Sequence, residues 1–322
     1  MRIGIDMMGG DFAPLETVLG AIQARKELDP RYSLVLIGDE SVIREILRQN
    51  QGNESDFHYV NTDQVIGMGE HPTKAFQQKQ NSSIVVGFHL LKSKKIDAFA
   101  SAGNTGAMMV GSMLAVKPIP GLQRPAISSI VPKEDGGWGI ILDVGINADC
   151  KPEMIQQFAV LGSIFAENVY HIKNPKVGLM SIGEEDEKGN VLTKESNQLL
   201  KHTHGVNFIG NIEGRDMFNN KADVIVCDGF TGNVMLKLAE SFHSLLLKRN
   251  IHDVYFDRFD FENYGGTPVL GVNSTVVIAH GISKAKAIKN MILLTREVIE
   301  AGLTEKISRA LNEAAISEQL PK

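Results

Sequence analysis

The residues best placed to do chemistry sit in short glycine-rich turns. Four stand out: Gly9-Gly10-Asp11, Gly103-Asn104-Thr105-Gly106, Gly229-Phe230-Thr231-Gly232-Asn233 and His280-Gly281. Each follows a short apolar run and precedes a segment of helical spacing. Glycine lets the backbone come close to a ligand. A helix starting there offers unpaired N–H groups and its positive dipole end to an anion. The chemistry suggested is anion handling. Neither GxxxxGKS/T nor a GxGxxG after the first strand occurs, so ATP and nicotinamide cofactors lose their usual signals.

Two further segments are chemically dense. Ile182–Gly189 reads IGEEDEKG and sets four acids beside Lys188. Asp143–Pro152 reads DVGINADCKP, and its Asp and Asn suit the capping of a helix opened by Pro152-Glu153. His280 ends an apolar run and is either a site residue or a satisfied buried histidine. Cys227, in VIVCDG, could act as a thiol nucleophile, but a buried strand cysteine is much commoner. His202-x-His204 reads as a surface pair. The histidines show no HExxH or comparable metal spacing, and no GxSxG elbow is present. No metal and no cofactor are expected.

These turns need a frame. Runs at Ile3–Asp6, Leu34–Ile37, Ala98–Ala102, Ile140–Val144, Val177–Ile182, Ala222–Asp228 and Val276–His280 are short and largely apolar. Such runs suit strands buried on both faces. Helical spacing follows in between, most cleanly at Met235, Leu238, Ala239, Phe242, Leu245 and Leu246. The alternation predicts an α/β fold with a mostly parallel sheet covered on both faces. Right-handed crossovers then gather the strand-ending glycines along one edge, where open α/β sheets bind ligands.

Composition narrows the function classes. The 322 residues are 43% hydrophobic and 22% charged, with a net charge of −5, an ordinary globular balance that does not favour nucleic-acid binding. Two cysteines, Cys150 and Cys227, are too few for a disulfide framework and suit a reducing cytoplasm. The start, MRIGIDMMGGDFAP, meets acids too early for a secretory signal. No run approaches the ~18 apolar residues that span a bilayer. The location expected is cytoplasmic, with a peripheral position at the inner membrane face as the variant. One α/β domain is expected over 1–316, with a protruding helical and aromatic segment at 237–265 and a tail at 317–322.

The motifs DMMGGDFAP (6–14), SAGNTGAMM (101–109), DVGINADCKPE (143–153), KVGLMSIGEEDEKGN (176–190) and TKE (193–195) occur in order. So do FIGNIEGRD (208–216), VCDGFTGNVMLK (226–237), YGGTPVLGVN (264–273) and HGISKAKAIKN (280–290). In these the sequence resembles the PlsX-type phosphate acyltransferases, acyl-acyl-carrier-protein:phosphate acyltransferases of bacterial phospholipid synthesis. The resemblance runs to about Ala301. It implies a three-layer α/β/α fold similar to the isocitrate dehydrogenase and phosphotransacetylase group, usually dimeric. It implies transfer of a long-chain acyl group from acyl-acyl carrier protein to inorganic phosphate, whose product feeds a membrane glycerol-3-phosphate acyltransferase.

On this reading Gly103, Asn104, Thr105 and Gly106, with Gly229, Thr231, Gly232 and Asn233, form the anion cradle. Lys188 and Lys194 supply charge for the phosphate or the oxyanion. Asp6 and Asp11 orient loops or handle a phosphate proton, and Asp143, Asp228 and His280 stand behind them. The carrier protein is acidic, so Lys284, Lys286 and Lys289 are its candidate docking face, with Lys92, Lys94 and Lys95 the other basic cluster. The stretch Lys237–Gly265 departs from the family's longer, Lys-rich helical pair: it is shorter and acidic after Asp253. Asp257, Asp260 and Glu262 oppose contact with anionic lipid, so dimer contact and acyl-chain lining compete with peripheral membrane binding there. Alternatives are a coenzyme A thioester as donor, a scaffold for carrier protein and membrane acyltransferase, and, by fold analogy only, a nicotinamide dehydrogenase.

Overall fold

A computed structural model describes residues 1–319, with side chains through residue 313. The first part of the chain forms β1 (Arg2–Asp6), α1 (Leu15–Glu27), β2 (Ser33–Gly38), α2 (Glu40–Gln49), β3 (Phe57–Asn61), α3 (Pro72–Gln78), α4 (Ser83–Lys92), β4 (Ala98–Ser101) and α5 (Thr105–Gly111). The middle forms β5 (Ala126–Pro132), β6 (Trp138–Leu142), α6 (Pro152–Val169), β7 (Lys176–Met180), α7 (Val191–Lys201), β8 (Asn207–Ile212), β9 (Val224–Val226) and α8 (Gly229–Lys248). The last part adds β10 (Thr267–Leu270), β11 (Thr275–Ile278), α9 (Ala285–Ala301) and α10 (Leu303–Gln319).

Within the span expected as one domain the contacts gather into two compact units. The first joins Met1–Pro118 to Phe261–Glu300, and the second joins Ile119–Asp260 to the chain from Ala301 onward. In the first unit the strand order is β3-β2-β1-β4-β11-β10, parallel except for β10 against β11. In the second it is β5-β6-β9-β7-β8, parallel except for β5 against β6. Of the expected tail, 317–319 fall in α10, and 320–322 lie outside the described residues.

All seven apolar runs become strands, because burial on both faces excludes polar residues. Ile3, Ile5, Leu34, Leu36, Phe99, Ile140, Ile141, Val224 and Val276 are fully or almost fully buried. Each such side chain contributes about 1.5–3 kcal/mol on leaving water. Four strands escape the pattern. β3 and β8 each keep several half-exposed positions, so no continuous apolar run marks them. β5 carries Ser128 and Ser129 in its middle, and β10 is short and contains Pro268.

The segment 255–259, which composition suggests as a protrusion, packs on the β5–β6 hairpin of its own unit. Tyr255 donates its hydroxyl to Pro132 O at 3.1 Å. Arg258 donates to Lys133 O at 3.0 Å and Gly137 O at 2.6 Å, and lies 3.9 Å above the Trp138 ring. Phe259 stacks edge-on against Phe218 at 5.3 Å. Residues 255–259 therefore belong to the second unit, whereas Phe261 and Tyr264 of the same aromatic stretch fall in the first.

Candidate functional site

In the first unit three neighbouring parallel strands, β1, β4 and β11, end side by side. Asp6, the last residue of β1, is fully buried. Its carboxylate accepts the Ser101 hydroxyl at 2.7 Å and the Met8 N–H at 3.0 Å, with Ser83 as a further hydroxyl partner. Ser101 Oγ in turn accepts the Gly103 N–H at 2.9 Å. Asp6 thus fixes two glycine turns at once. A methyl group at Gly9 would overlap the Asp6 carboxylate and stand 2.7 Å from Gly103 N, so only glycine fits. Gly10 has φ +106°, and the next residue ties to the third strand end, Asp11 N donating to Gly281 O at 2.7 Å. Burial pushes the Asp6 carboxyl upward, and its hydroxyl and N–H partners pull it back.

Helix α5 starts at this point. Asn104 caps it, Oδ1 accepting the Ala107 N–H at 2.9 Å. The other end of the Asn104 amide donates to Gly67 O, Met68 O and Glu70 O, each at 3.1 Å. One side chain thereby closes the helix start and pins the 67–70 loop beside it. Met68 of that loop lies over Gly281. The amides of Thr105 and Gly106, the first two of α5, carry no hydrogen-bond partner among the described residues, and the Thr105 side chain is exposed. That leaves two N–H groups and a hydroxyl open to an anion.

In the second unit β6, β9 and β7 also end side by side. Asp143 follows β6 and is fully buried. Its Oδ1 accepts the Ile127 N–H at 3.2 Å; its Oδ2 accepts Ile146 N at 3.2 Å, Asn147 N at 2.6 Å and Asn147 Nδ2 at 2.9 Å. Burial again pushes the carboxyl up, against the pull of these N–H donors. The start of α8 is largely satisfied from within, the Phe230 amide alone of its first four having no partner among the described residues. Gly229 N donates to Asn147 O at 2.7 Å, and Asp228 accepts the N–H and the hydroxyl of Thr231, both at 2.8 Å. A side chain at Gly232 would overlap Asp143 O. Asn233 is exposed. Cys227 is buried and its thiol is held well above the ordinary thiol range by desolvation, as is Cys150, pushed to about 12; neither is poised as a nucleophile.

The acidic loop lies between β7 and α7. Lys188 and Lys194 are both exposed. His280 is half-buried with its ring 4.8 Å from Phe261. Of the basic docking candidates, Lys289 pairs with Glu27 at 3.0 Å and Lys284 lies 5.7 Å from the Phe12 ring centre. The structure thus groups Asp6, Asp11, His280, Gly281 and the 103–106 turn within the first unit. Asp143, Asp228, the 229–233 turn, Lys188 and Lys194 belong to the second. Spacing alone does not reveal Ser101, Ser83 or the 67–70 loop, because each acts through a contact distant in sequence. The Asp and Asn of Asp143–Pro152 do not cap α6, whose cap position is Lys151 without a side-chain bond, because Asn147 is bound to Asp143 instead. Ser101, a lone hydroxyl ending an apolar run, is the one with a local signal.

A family model described as a fatty acid synthesis protein matches residues 1–306. A phosphate acyltransferase of Dictyoglomus turgidum is 44% identical over 333 residues, covering 97% of this chain and 98% of that protein. One of Desulforamulus reducens is 42% identical, covering 99% and 100%. Among solved structures, the EutD phosphotransacetylase of Staphylococcus aureus matches with a TM-score of 0.65 at 17% identity, covering 92% of this chain and 94% of that one. A Streptococcus pyogenes phosphotransacetylase gives 0.64 at 14%, covering 97% and 94%. At that identity the two structures share the fold.

Proposed function

The chain belongs to the fatty acid synthesis protein family, the PlsX-type phosphate acyltransferases, and from that premise we propose that it moves a long-chain acyl group from acyl-acyl carrier protein to inorganic phosphate. It is an acyltransferase, with phosphate as acceptor. A phosphate oxygen attacks the thioester carbonyl, the tetrahedral intermediate collapses, the C–S bond breaks, and acyl phosphate and the carrier-protein thiolate result. Phosphate is already anionic near neutral pH, and a thiolate leaves readily because a free thiol ionises at a pH of about 8.5. The enzyme's task is to hold the two reactants together, worth roughly 7–11 kcal/mol in well-oriented cases, and to stabilise the oxyanion.

The observation that carries this reading is the open start of α5, where the Thr105 and Gly106 amides and the Thr105 hydroxyl have no partner among the described residues, beside the buried Asp6–Ser101–Gly103 chain. These groups, with Gly103 and Asn104 shaping the turn, take the phosphate. Asp6 orients the turn, and the exposed Asp11 is the candidate for a phosphate proton. In the second unit Gly229, Thr231, Gly232 and Asn233 belong to the same role, though most of their polar groups are committed internally. Lys188 and Lys194 supply charge for phosphate or oxyanion. Asp143 and Asp228 support their turns, and His280 supports the Gly281 turn.

The donor docks through Lys284, Lys286 and Lys289, whose charge suits an acidic carrier protein. A second copy of the chain is the partner for α8, on which Phe230, Val234, Leu238, Phe242 and Leu245 are all more than half exposed. Helical spacing puts Leu238, Phe242 and Leu245 in a core stripe; in the folded chain Met235 and Ala239 of that stripe pack inward and those three are exposed. No helix among the described residues is long and apolar enough to cross a membrane. The location that fits is cytoplasmic, with a peripheral position at the inner membrane face as the variant, where a membrane glycerol-3-phosphate acyltransferase would consume the product.

The test is phosphate-dependent release of carrier-protein thiol from palmitoyl-acyl carrier protein, with no nucleotide or added metal and with the acyl product identified. Saturable release giving acyl phosphate is the expected outcome. Turnover only with an acyl-coenzyme A replaces the donor, and turnover with neither leaves the scaffold reading.

A further inference from the structure

The acidic loop between β7 and α7 surrounds Lys188 with four carboxylates in sequence, yet its ammonium has no ion-pair partner among the described residues. Two of the four are held elsewhere. Lys201, the last residue of α7, pairs with Asp186. Lys221, just before β9, pairs with Glu184 at 2.7 Å and with Asp216 at 3.1 Å. Lys201 is also what holds the Asp186 carboxyl below its ordinary range.

The loop backbone is fixed from beneath by a pair of buried amides. Asn211 Nδ2 donates to Glu185 O at 2.8 Å, and Asn197 Nδ2 donates to Asn211 Oδ1 at 2.9 Å. The same Glu185 carbonyl accepts the Lys188 N–H at 3.0 Å, while Ser181 Oγ donates to Lys188 O at 3.3 Å. The stem of Lys188 crosses Gly183, where a methyl group would stand 2.8 Å from Lys188 Cγ. So the loop is clamped and two of its four acids, Glu184 and Asp186, are turned onto other lysines. Glu185, whose Oε2 stands 2.9 Å from the same position over Gly183, and Glu187 carry no ion pair among the described residues, and neither does Lys188.

We infer that Lys201 and Lys221 are positioning residues that occupy Asp186 and Glu184, leaving the Lys188 ammonium available to an anionic substrate. This rests on the assignment of Lys188 to the phosphate or the oxyanion. Asp186 is two residues from Lys188. Released from Lys201, its carboxylate competes with phosphate for that ammonium, and an exposed pair of this kind shifts an equilibrium by about two- to five-fold.

The experiment measures kcat, the KM for phosphate and the melting temperature of five proteins: wild type, Lys188→Met, Lys201→Met, Asp186→Asn and the Lys201→Met/Asp186→Asn double variant. Lys201→Met raises the phosphate KM about two- to five-fold with kcat near wild type. The double variant returns KM to the wild-type value, because the competing charge is gone. Asp186→Asn alone leaves KM unchanged. If Lys188→Met impairs phosphate use while Lys201→Met leaves KM unchanged, the inference is overturned. The same holds if Lys201→Met lowers kcat and melting temperature together and the double variant does not recover. If Lys188→Met itself retains wild-type kcat and phosphate KM, the assignment of Lys188 fails first, which is a separate result.

Discussion

The turns SAGNTG (101–106) and DGFTGN (228–233) read alike: Gly, Thr and Asn between a strand and a helix. Each sits among three parallel strand ends in its own unit, close to a buried aspartate. Their hydrogen bonding differs in kind. Around Asp6 two partners are hydroxyls, which can donate or accept; around Asp143 the partners, Ile127, Ile146 and Asn147, are N–H donors. The cap of α5 is a neutral amide, Asn104, whereas that of α8 is a carboxylate, Asp228. A neutral cap leaves the positive helix end available, and a charged cap fills it. The difference teaches that turns alike in sequence differ in how many N–H groups remain unspent, two at the start of α5 and one, that of Phe230, at the start of α8 among the described residues.

The largest expected break in the comparison is Asp143→Asn. It sets an NH2 group against N–H donors that cannot reverse, leaving buried groups unpaired at a cost of about 3 kcal/mol, seen as a lowered denaturation midpoint. Asn104→Asp comes next. It removes the donor shared by three carbonyls and adds a charge at the α5 start; a loss of about 2 kcal/mol in stability and a phosphate KM raised about ten-fold or more are expected.

Asp6→Asn should cost only about 1 kcal/mol, because Ser101 and Ser83 can exchange donor and acceptor roles. It also carries a pH signature. Burial raises the Asp6 carboxyl in the folded state above its unfolded value, so between those two values the native state holds more protons than the unfolded chain. The stability this group contributes is full below the ordinary carboxyl range and is lost as pH rises through the raised value. Asn does not titrate, so the wild-type advantage over Asp6→Asn should shrink with rising pH, as denaturant midpoints from about pH 4 to 8 would reveal. An advantage that grew with pH would reverse the sign and the reading.

The smallest effects separate the two threonines. Thr231→Ala removes a hydroxyl bound to Asp228 and should cost about 0.5–1 kcal/mol. Thr105→Ala should leave stability within about 0.5 kcal/mol and act on the phosphate KM instead. Equal behaviour of the two in both assays would erase the distinction between an open and a satisfied turn.

Much of this molecule is written locally. Continuous runs such as Ala98–Ser101 and Val276–Ile278 can only be strands buried on both faces, and a glycine directly after such a run marks where the backbone must turn. Seven strands, the mostly parallel sheets and the places of the glycine-rich turns follow from that short-range physics, and the ordered motifs identify the family. Strands β3 and β8, with several positions half in water, lack the pattern and become legible only through their neighbours. Other features rest on contacts between residues far apart in the chain. Asp6 reaches Ser101, and Asn104 reaches back to Gly67; Asn211 holds Glu185, and Arg258 seats the aromatic segment on the hairpin. Hydrogen-bond capacity is a property of each residue and is visible in the sequence. Whether that capacity is already used depends on which distant group the folded chain brings within about 3 Å, as Asn147 O does for the first amide of α8, while the first amide of α5 has no such partner among the described residues.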